Sequence, residues 1–193
     1  MKRIVVYCAS SSRVNEQYFM YTGLLSEFLV KNNYEVVYGG GAVGLMGKLA
    51  DTVLEHGGTI TGVIPYFMSD REWSHTGLSK LLYVNTMHER KHKMLENTDG
   101  LIALPGGTGT LEELLEAITL KRLGLYTKPI VILNTNNYYD PLKKMFEKCI
   151  HENFMNDKHR LMWKFVDTPE EVVTALNEVP SWDSNAIDYA VVK

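Results

Sequence analysis

Short runs of branched apolar residues recur along the chain, and each is followed by a stretch with helical periodicity. Six such runs are predicted strands, at residues 4–8, 35–38, 59–64, 82–86, 100–104 and 129–133. They do not alternate apolar with polar residues, which is typical of strands buried on both faces of a parallel sheet. Strand–helix alternation of this kind predicts an α/β fold. Six units within 193 residues fit an open, doubly wound, Rossmann-like sheet better than a closed barrel, which usually takes about 250 residues.

Stretches with helical periodicity follow the predicted strands. They are predicted at residues 15–31, 45–56, 88–97, 111–123, 140–153 and 169–178, with a long loop over residues 65–80. The length is that of one domain, since domains usually have about 100–200 residues. We therefore expect a single domain over residues 1–180, followed by a C-terminal tail, residues 181–193, that the pattern leaves unassigned.

Composition excludes some partners. Twenty basic and 23 acidic side chains give a formal net charge of −3, whereas nucleic-acid binding needs a basic face. The longest uncharged runs have about 12 residues, too few for a membrane span of about 20. Cys8 and Cys149 lie far apart and form no Cys-x-x-Cys motif, which favours free thiols in a reducing compartment. We expect a cytoplasmic protein with neither a nucleic-acid nor a membrane partner.

The fold predicts where a ligand binds. In a doubly wound sheet, ligands lie beyond the carboxyl ends of the strands, where the strand order reverses. Four loops follow predicted strands at that edge: residues 9–13, 39–44, 87–90 and 105–110. The first contains Ser10, and the second contains Gly40 and Gly41. These three residues are candidate substrate contacts.

The loop at residues 105–110 carries the strongest signal. It reads Pro-Gly-Gly-Thr-Gly-Thr and stands between a predicted strand and a predicted helix. Glycines let the backbone approach a ligand closely, and the helix start offers unpaired N–H groups to an anion. The threonine hydroxyls add donors. A tight turn with a threonine cap is the alternative interpretation. We predict a phosphate site formed by Gly106, Gly107, Thr108, Gly109 and Thr110.

The second glycine loop restricts the class of ligand that the site is expected to bind. Residues 38–47 read Tyr-Gly-Gly-Gly-Ala-Val-Gly-Leu-Met-Gly and lack the G-x-G-x-x-G spacing of a dinucleotide site. The loop at residues 105–110 lacks the Gly-Lys-Ser/Thr of a nucleoside triphosphate site. A mononucleotide between the two glycine loops is therefore favoured over NAD or ATP.

Residues 88–92 spell His-Glu-Arg-Lys-His, which matches the H-E-x-x-H zinc signature. Glu112 is the candidate third ligand, but a buried strand and a glycine loop separate it from His92. We therefore predict no metal and no organic cofactor. Arg90 and Lys91 in this segment are expected ligand contacts instead.

Two carboxylates follow the phosphate loop. Glu113 is predicted to lie near bound phosphate and the sugar, although a carboxylate favoured only by the helix dipole is the alternative. Glu116 is expected to face solvent or to pair with Lys121 or Arg122.

Three segments together resemble one family. Residues 38–47, 87–91 and 105–113 match, in order and spacing, the YGGGxxGLMG, MHxRK and PGGxGTxxE motifs of the LONELY GUY (LOG) family. The resemblance extends over residues 4–153. It implies a doubly wound fold, a homodimer with the site near the interface, and hydrolysis of cytokinin riboside 5′-monophosphates. By the same resemblance, Arg90 and Glu113 align with the catalytic pair, and Met87 and Lys91 belong to the substrate-binding set.

Members of this family are often labelled lysine decarboxylases. A pyridoxal-phosphate decarboxylase needs a Schiff-base lysine, and we predict no lysine in an apolar pocket, so this activity is rejected. Two alternatives remain: a general purine or pyrimidine nucleoside 5′-monophosphate nucleosidase, and a non-catalytic carrier of a phosphorylated ligand.

The segment after Thr110 contains more leucines than one core-facing stripe of a helix needs. This excess predicts that a symmetric partner covers part of the helix, in agreement with the homodimer that the resemblance implies.

Overall fold

The computed structural model describes residues 1–69, 73–180 and 182–190. Within these residues, seven parallel strands form one sheet in the order β4-β3-β2-β1-β5-β6-β7. They are β1 (Lys2–Tyr7), β2 (Tyr34–Tyr38), β3 (Ile60–Pro65), β4 (Lys80–Val84), β5 (Gly100–Ala103), β6 (Ile130–Leu133) and β7 (Lys164–Val166). The six predicted strands are confirmed, with ends shifted by at most about two residues. The edge strand β7 was not predicted.

Of the seven α-helices in the described residues, the first six connect successive strands and the seventh follows β7. They are α1 (Glu16–Lys31), α2 (Gly44–Glu55), α3 (Tyr66–Ser69), α4 (Met87–Leu95), α5 (Thr108–Arg122), α6 (Asp140–His151) and α7 (Pro169–Glu178). The predicted loop over residues 65–80 contains α3, while its residues 70–72 lie outside the described residues. Helix α5 begins at Thr108, so the predicted loop at residues 105–110 is shorter than expected.

The helices cover both faces of the sheet, which confirms the doubly wound architecture. On one face, Leu25 of α1, Leu49 of α2 and Val172 of α7 pack into one buried cluster. On the other face, Leu114 of α5 and Phe146 of α6 belong to a second cluster. Successive residues of β1 alternate between the two clusters, as the period of two of a strand requires. The sheet is therefore buried on both faces.

The strand order reverses at β1. Strands β2, β3 and β4 lie in that order on one side of β1, and β5 pairs with β1 on its other side. The carboxyl ends of β1 and β5 therefore flank the crevice where ligands bind in folds of this kind.

The described part of the C-terminal tail packs against α5. The Trp182 indole N–H donates a hydrogen bond to the Lys121 carbonyl oxygen at 2.6 Å, and a 3-10 helix follows at Ala186–Tyr189. Residues 181 and 191–193 of the predicted tail lie outside the described residues. Among the helices that the structure describes, none has the length and apolar character needed to cross a membrane.

Candidate active site

Arg90 is held by the backbone of two strands. It lies in the first turn of α4. Thr86 caps this helix, because its hydroxyl accepts a hydrogen bond from the Glu89 N–H. The Arg90 Nε donates to the carbonyl oxygen of Val63 at 3.1 Å, and its Nη2 donates to that of Gly39 at 3.2 Å. The side chain is almost fully buried. The carboxyl ends of β2 and β3 thus fix the orientation of the guanidinium group.

Glu113 completes this arrangement from α5. Its Oε1 lies 3.0 Å from the Arg90 Nη1, and its side chain is buried as well. Burial raises the pKa of the Glu113 carboxyl above its ordinary value, while the neighbouring Arg90 charge opposes that rise. Arg90 and Glu113 therefore form a buried ion pair. Without the Arg90 charge, the buried Glu113 carboxylate would be costly to keep ionised.

A cavity of about 310 Å³ opens beside the ion pair. Its lining comes from the residues after β1 and from the start of α5, together with Arg90, Glu113 and Met46. Gly107 is the N-cap of α5 and no side chain of the described residues caps that helix. The first N–H groups of a helix have no partner within the helix, so this end of α5 can bind an anion. The cavity therefore combines an anion site with a buried carboxylate.

A second cavity, of about 260 Å³, adjoins the first. The two share Ser10, Met46 and Arg90. The remaining lining of the second cavity is mostly apolar and consists of Gly39, Gly41, Val43, Ile64, Met68 and Trp73. An antiparallel bridge between Gly41 and Ser74 fixes this wall.

Met68 and Trp73 are not among the site residues predicted from the sequence. The signal that could have found them is position, because the loop over residues 65–80 follows β3 at the same edge of the sheet as the glycine loops. Because that loop has no regular period, its sequence pattern does not indicate which of its residues face the site.

The structure brings most predicted site residues together. Those that line one or both cavities are Ser10, Gly41, Arg90, Gly107, Thr108, Gly109, Thr110 and Glu113. Gly40 and Gly106 are buried in the loops behind them. Gly40 has a φ of +77°, and a Cβ on Gly106 would lie 2.1 Å from the Thr110 Oγ1. These two glycines shape the loops and do not line either cavity.

Met87 and Lys91 lie apart from the other predicted contacts. The Lys91 Nζ forms ion pairs with Glu112 at 2.5 Å and with Glu116 at 2.6 Å. Its hydrogen bonds to these two carboxylates raise its pKa. Met87 is partly exposed at the first position of α4. Neither residue lines the cavities beside Arg90.

These ion pairs correct one expectation about Glu116. Glu116 pairs with Lys91 rather than with Lys121 or Arg122. The zinc ligand set considered for His88, His92 and Glu112 is also not assembled, because Glu112 is paired with Lys91. Within residues 1–69, 73–180 and 182–190, no three His, Cys, Asp or Glu side chains form a group that could hold a metal ion.

Lys121 contradicts the expectation that no lysine lies in an apolar pocket. It is fully buried, and burial lowers its pKa to about 8. Its Nζ donates a hydrogen bond to the Lys128 carbonyl oxygen at 2.5 Å and lies 5.8 Å from the centre of the Trp182 ring. Lys121 is near the C-terminal end of α5, however, and lines neither cavity. It is therefore not placed to form a Schiff base with a ligand there.

The fold and the cavities define a doubly wound α/β protein with a ligand crevice where its strand order reverses. Residues 46–176 match the family described as "Possible lysine decarboxylase". The chain is 39% identical over 183 residues to a cytokinin riboside 5′-monophosphate phosphoribohydrolase of Arabidopsis thaliana, an alignment that covers 94% of this chain and 86% of the relative. The chain belongs to the LOG family, as its three motifs indicated.

Two further proteins extend the comparison. A probable cytokinin riboside 5′-monophosphate phosphoribohydrolase of Oryza sativa subsp. japonica is 40% identical over 177 residues, covering 92% of this chain and 72% of the relative. The solved molybdenum cofactor carrier protein of Chlamydomonas reinhardtii superposes with a TM-score of 0.69 at 18% identity, covering 92% of this chain and 97% of that one. The second likeness shows a shared fold.

Proposed function

We propose that this protein hydrolyses the N-glycosidic bond of a nucleoside 5′-monophosphate to a free base and ribose 5-phosphate. Cytokinin riboside 5′-monophosphates are the proposed substrate class. The observation that carries the proposal is the buried Arg90–Glu113 ion pair beside the open N-terminus of α5. The Arabidopsis relative is named as a phosphoribohydrolase and the rice relative as a probable one, which supports the same reaction.

In this proposal the substrate phosphate binds at the start of α5. Gly107, Thr108 and Gly109 are exposed there and line the cavity of about 310 Å³. Backbone N–H groups and the positive end of the helix dipole favour an anion at this position. Binding the phosphate holds the ribose in a fixed position, so that binding energy lowers the entropic cost of the reaction. No metal and no organic cofactor is required in this scheme.

Glu113 acts on the ribose in this scheme. Cleavage of the bond between C1′ and the base builds positive charge on the sugar ring, as in other glycoside hydrolyses. A carboxylate in the same cavity stabilises that charge or accepts a proton from the attacking water. Arg90 keeps the carboxylate ionised and oriented, and it also faces the cavity. The two residues therefore act as a unit.

The second cavity is the proposed site of the base. It adjoins the first at Arg90, and its wall includes Met68 and Trp73. Apolar and aromatic side chains favour a flat ring with an apolar substituent, because binding removes both surfaces from water. This supports a modified purine over an unmodified one.

We also propose a homodimer in the cytoplasm. Leu115 and Leu125, on and just after α5, are 42% and 73% exposed, whereas Leu114 and Ile118 of the same helix are buried. Exposed apolar side chains beside a core-facing stripe are typical of a helix that is also covered by a partner. Both exposed leucines border open grooves on the surface of α5.

The deciding experiment is a screen for base release across nucleoside 5′-monophosphates with the purified protein. We expect release of base from isopentenyl-AMP with a higher kcat/KM than from AMP. A higher kcat/KM with AMP would favour a general nucleosidase. Binding of nucleotides without release of any base would contradict the proposal and favour a carrier.

A further inference from the structure

Two consecutive tyrosines hydrogen-bond to the loop that precedes α5. The Tyr138 hydroxyl donates to the carbonyl oxygen of Gly106 at 2.6 Å, and the Tyr139 hydroxyl donates to that of Leu104 at 2.7 Å. These two carbonyl groups stand on either side of Pro105. The segment that joins β5 to α5 is therefore fixed at two points by side chains from outside it.

The turn after β6 brings the tyrosines into position. Strand β6 pairs with β5, so the turn lies beside the β5–α5 loop. Asn136 and Asn137 have φ values of 56° and 58°, a left-handed conformation that asparagine tolerates better than most residues. The Asn134 side chain accepts a hydrogen bond from the Tyr139 N–H at 2.7 Å. The turn is thus held in place independently of any ligand.

The bond from Tyr138 determines where the next N–H group points. Gly106 and Gly107 share a planar trans peptide, in which the C=O and the N–H point in opposite directions. When the Gly106 carbonyl is hydrogen-bonded to Tyr138, the Gly107 N–H is fixed on the opposite side of the peptide plane. Gly107 lines the cavity at the start of α5, whereas Tyr138 lines neither cavity. The tyrosine therefore acts on the anion site through the backbone.

We propose that Tyr138 is a positioning residue for the substrate phosphate. It holds the Gly106–Gly107 peptide with its N–H available to the anion and its carbonyl oxygen, which would repel an anion, turned away. This inference rests on the proposed function and extends it, because it predicts that Tyr138 contributes to the preference for phosphorylated over unphosphorylated substrates.

Tyr138→Phe tests this role, and Tyr18→Phe is its matched control. Tyr138 is 41% exposed, so the loss of its hydroxyl should leave the protein folded, with a melting temperature lowered by less than about 4 °C. The Tyr18 ring contacts the Tyr138 ring edge-on at 6.2 Å between centroids, and its hydroxyl is not bonded to the β5–α5 loop among the described residues. The control therefore removes a hydroxyl from the same aromatic cluster.

Binding of ribose 5-phosphate is measured by calorimetry, and kcat and KM are measured with a nucleoside 5′-monophosphate and with the matching nucleoside. For Tyr138→Phe we expect affinity for ribose 5-phosphate to fall about five- to tenfold, in the upper part of the roughly two- to tenfold range for one lost hydrogen bond. The kcat/KM for the monophosphate should fall by a similar factor, mainly through KM, while that for the nucleoside stays unchanged. Tyr18→Phe should stay within about twofold of wild type.

The outcomes separate this inference from the proposed function. If Tyr138→Phe binds ribose 5-phosphate as wild type does, this inference is wrong and the proposed function is unaffected. Equal losses with the nucleoside and the monophosphate would also overturn it, because they indicate a general structural role. If the wild-type protein does not bind ribose 5-phosphate, both proposals fail.

Discussion

The Arg90 Nη1 lies 3.0 Å from the Glu113 Oε1, although 23 residues separate the two in the chain. Two further bonds from Arg90, to the carbonyl oxygens of Gly39 and Val63, fix the orientation of its guanidinium group. Breaking a buried ion pair by removing one partner costs about 3–5 kcal/mol of stability. The pair is therefore both a structural link between α4 and α5 and the centre of the proposed chemistry.

The close approach of Gly39 to Arg90 gives a first prediction. A Cβ at position 39 would lie 2.1 Å from the Arg90 Nη2, so Gly39→Ala must displace the guanidinium group from its three partners. We expect turnover to fall at least ~10-fold, because small misplacements of catalytic groups cost much rate. Steady-state kinetics measure this loss.

Gly23→Ala is the control for that variant. A Cβ on Gly23 in α1 would approach the flexible end of Lys48 at 2.9 Å and would make an ordinary contact with the Thr52 Oγ1 at 3.9 Å. Alanine favours the helix by about 1 kcal/mol. Its turnover should equal that of wild type. Wild-type turnover for a folded Gly39→Ala protein would show that the position of Arg90 is unimportant for the reaction.

Lys121 gives a prediction about pH. Burial lowers its pKa from the ordinary 10.5 to about 8. Between these two pH values the unfolded chain binds a proton that the folded protein lacks, so this group makes stability rise with pH there and leaves it unchanged below pH 8. We expect the melting temperature of wild type, relative to that of Lys121→Met, to increase by several degrees between pH 7 and pH 10. A difference that does not change with pH would show that Lys121 is not desolvated.

The proposed homodimer is tested at Leu115. Leu115→Glu places a charge on the exposed apolar side of α5, and we expect it to shift the protein toward the mass of one chain, 22.0 kDa, in light scattering at micromolar concentration. Phe154→Glu is the matched control, because Phe154 is 73% exposed and follows α6. That control should keep the wild-type mass. A wild-type protein that is monomeric and fully active under these conditions would refute the homodimer.

The reaction is expected to proceed without a metal ion. The proposed phosphate site consists of backbone N–H groups and threonine hydroxyls, which need no cation to bind an anion. Base release should therefore be unchanged in the presence of EDTA, measured by chromatography of the free base. Loss of activity in EDTA with recovery on addition of zinc would instead support a metal site at His88 and His92.

The sequence was sufficient for strands β1 to β6 and for the edge of the sheet where the candidate site lies. Of the four loops predicted at that edge, residues 87–90 instead form the first turn of α4, and residues 108–110 already belong to α5. Strands β1 to β6 contain enough branched apolar residues to be recognised without their neighbours, and glycine-rich loops mark where β2 and β5 end. Strand β7 was missed because its three residues, Lys164–Val166, are too few to show a period. It forms only by pairing with β6 at the edge of the sheet.

The partners of individual side chains were less predictable. The motif placed Arg90 beside Lys91, but only the fold shows that Arg90 turns inward to Glu113 while Lys91 turns outward to Glu112 and Glu116. The burial of Lys121 depends on Trp182, which lies 61 residues further along the chain. Contacts over such separations leave no local pattern in the sequence.

The central claim is that Glu113 acts on the ribose, and Glu113→Gln tests it most directly. We predict that turnover falls at least ~100-fold, a loss of roughly 2.7 kcal/mol in activation free energy. Affinity for ribose 5-phosphate should change little, because phosphate binding depends on the start of α5. Glu116→Gln, which removes a carboxylate that pairs with Lys91, is the matched control and should keep its turnover. Loss of the ion pair lowers the melting temperature of Glu113→Gln under either account, but if Glu113 serves only to neutralise Arg90, turnover stays within a few-fold of wild type. A folded Glu113→Gln protein with that turnover would contradict the account.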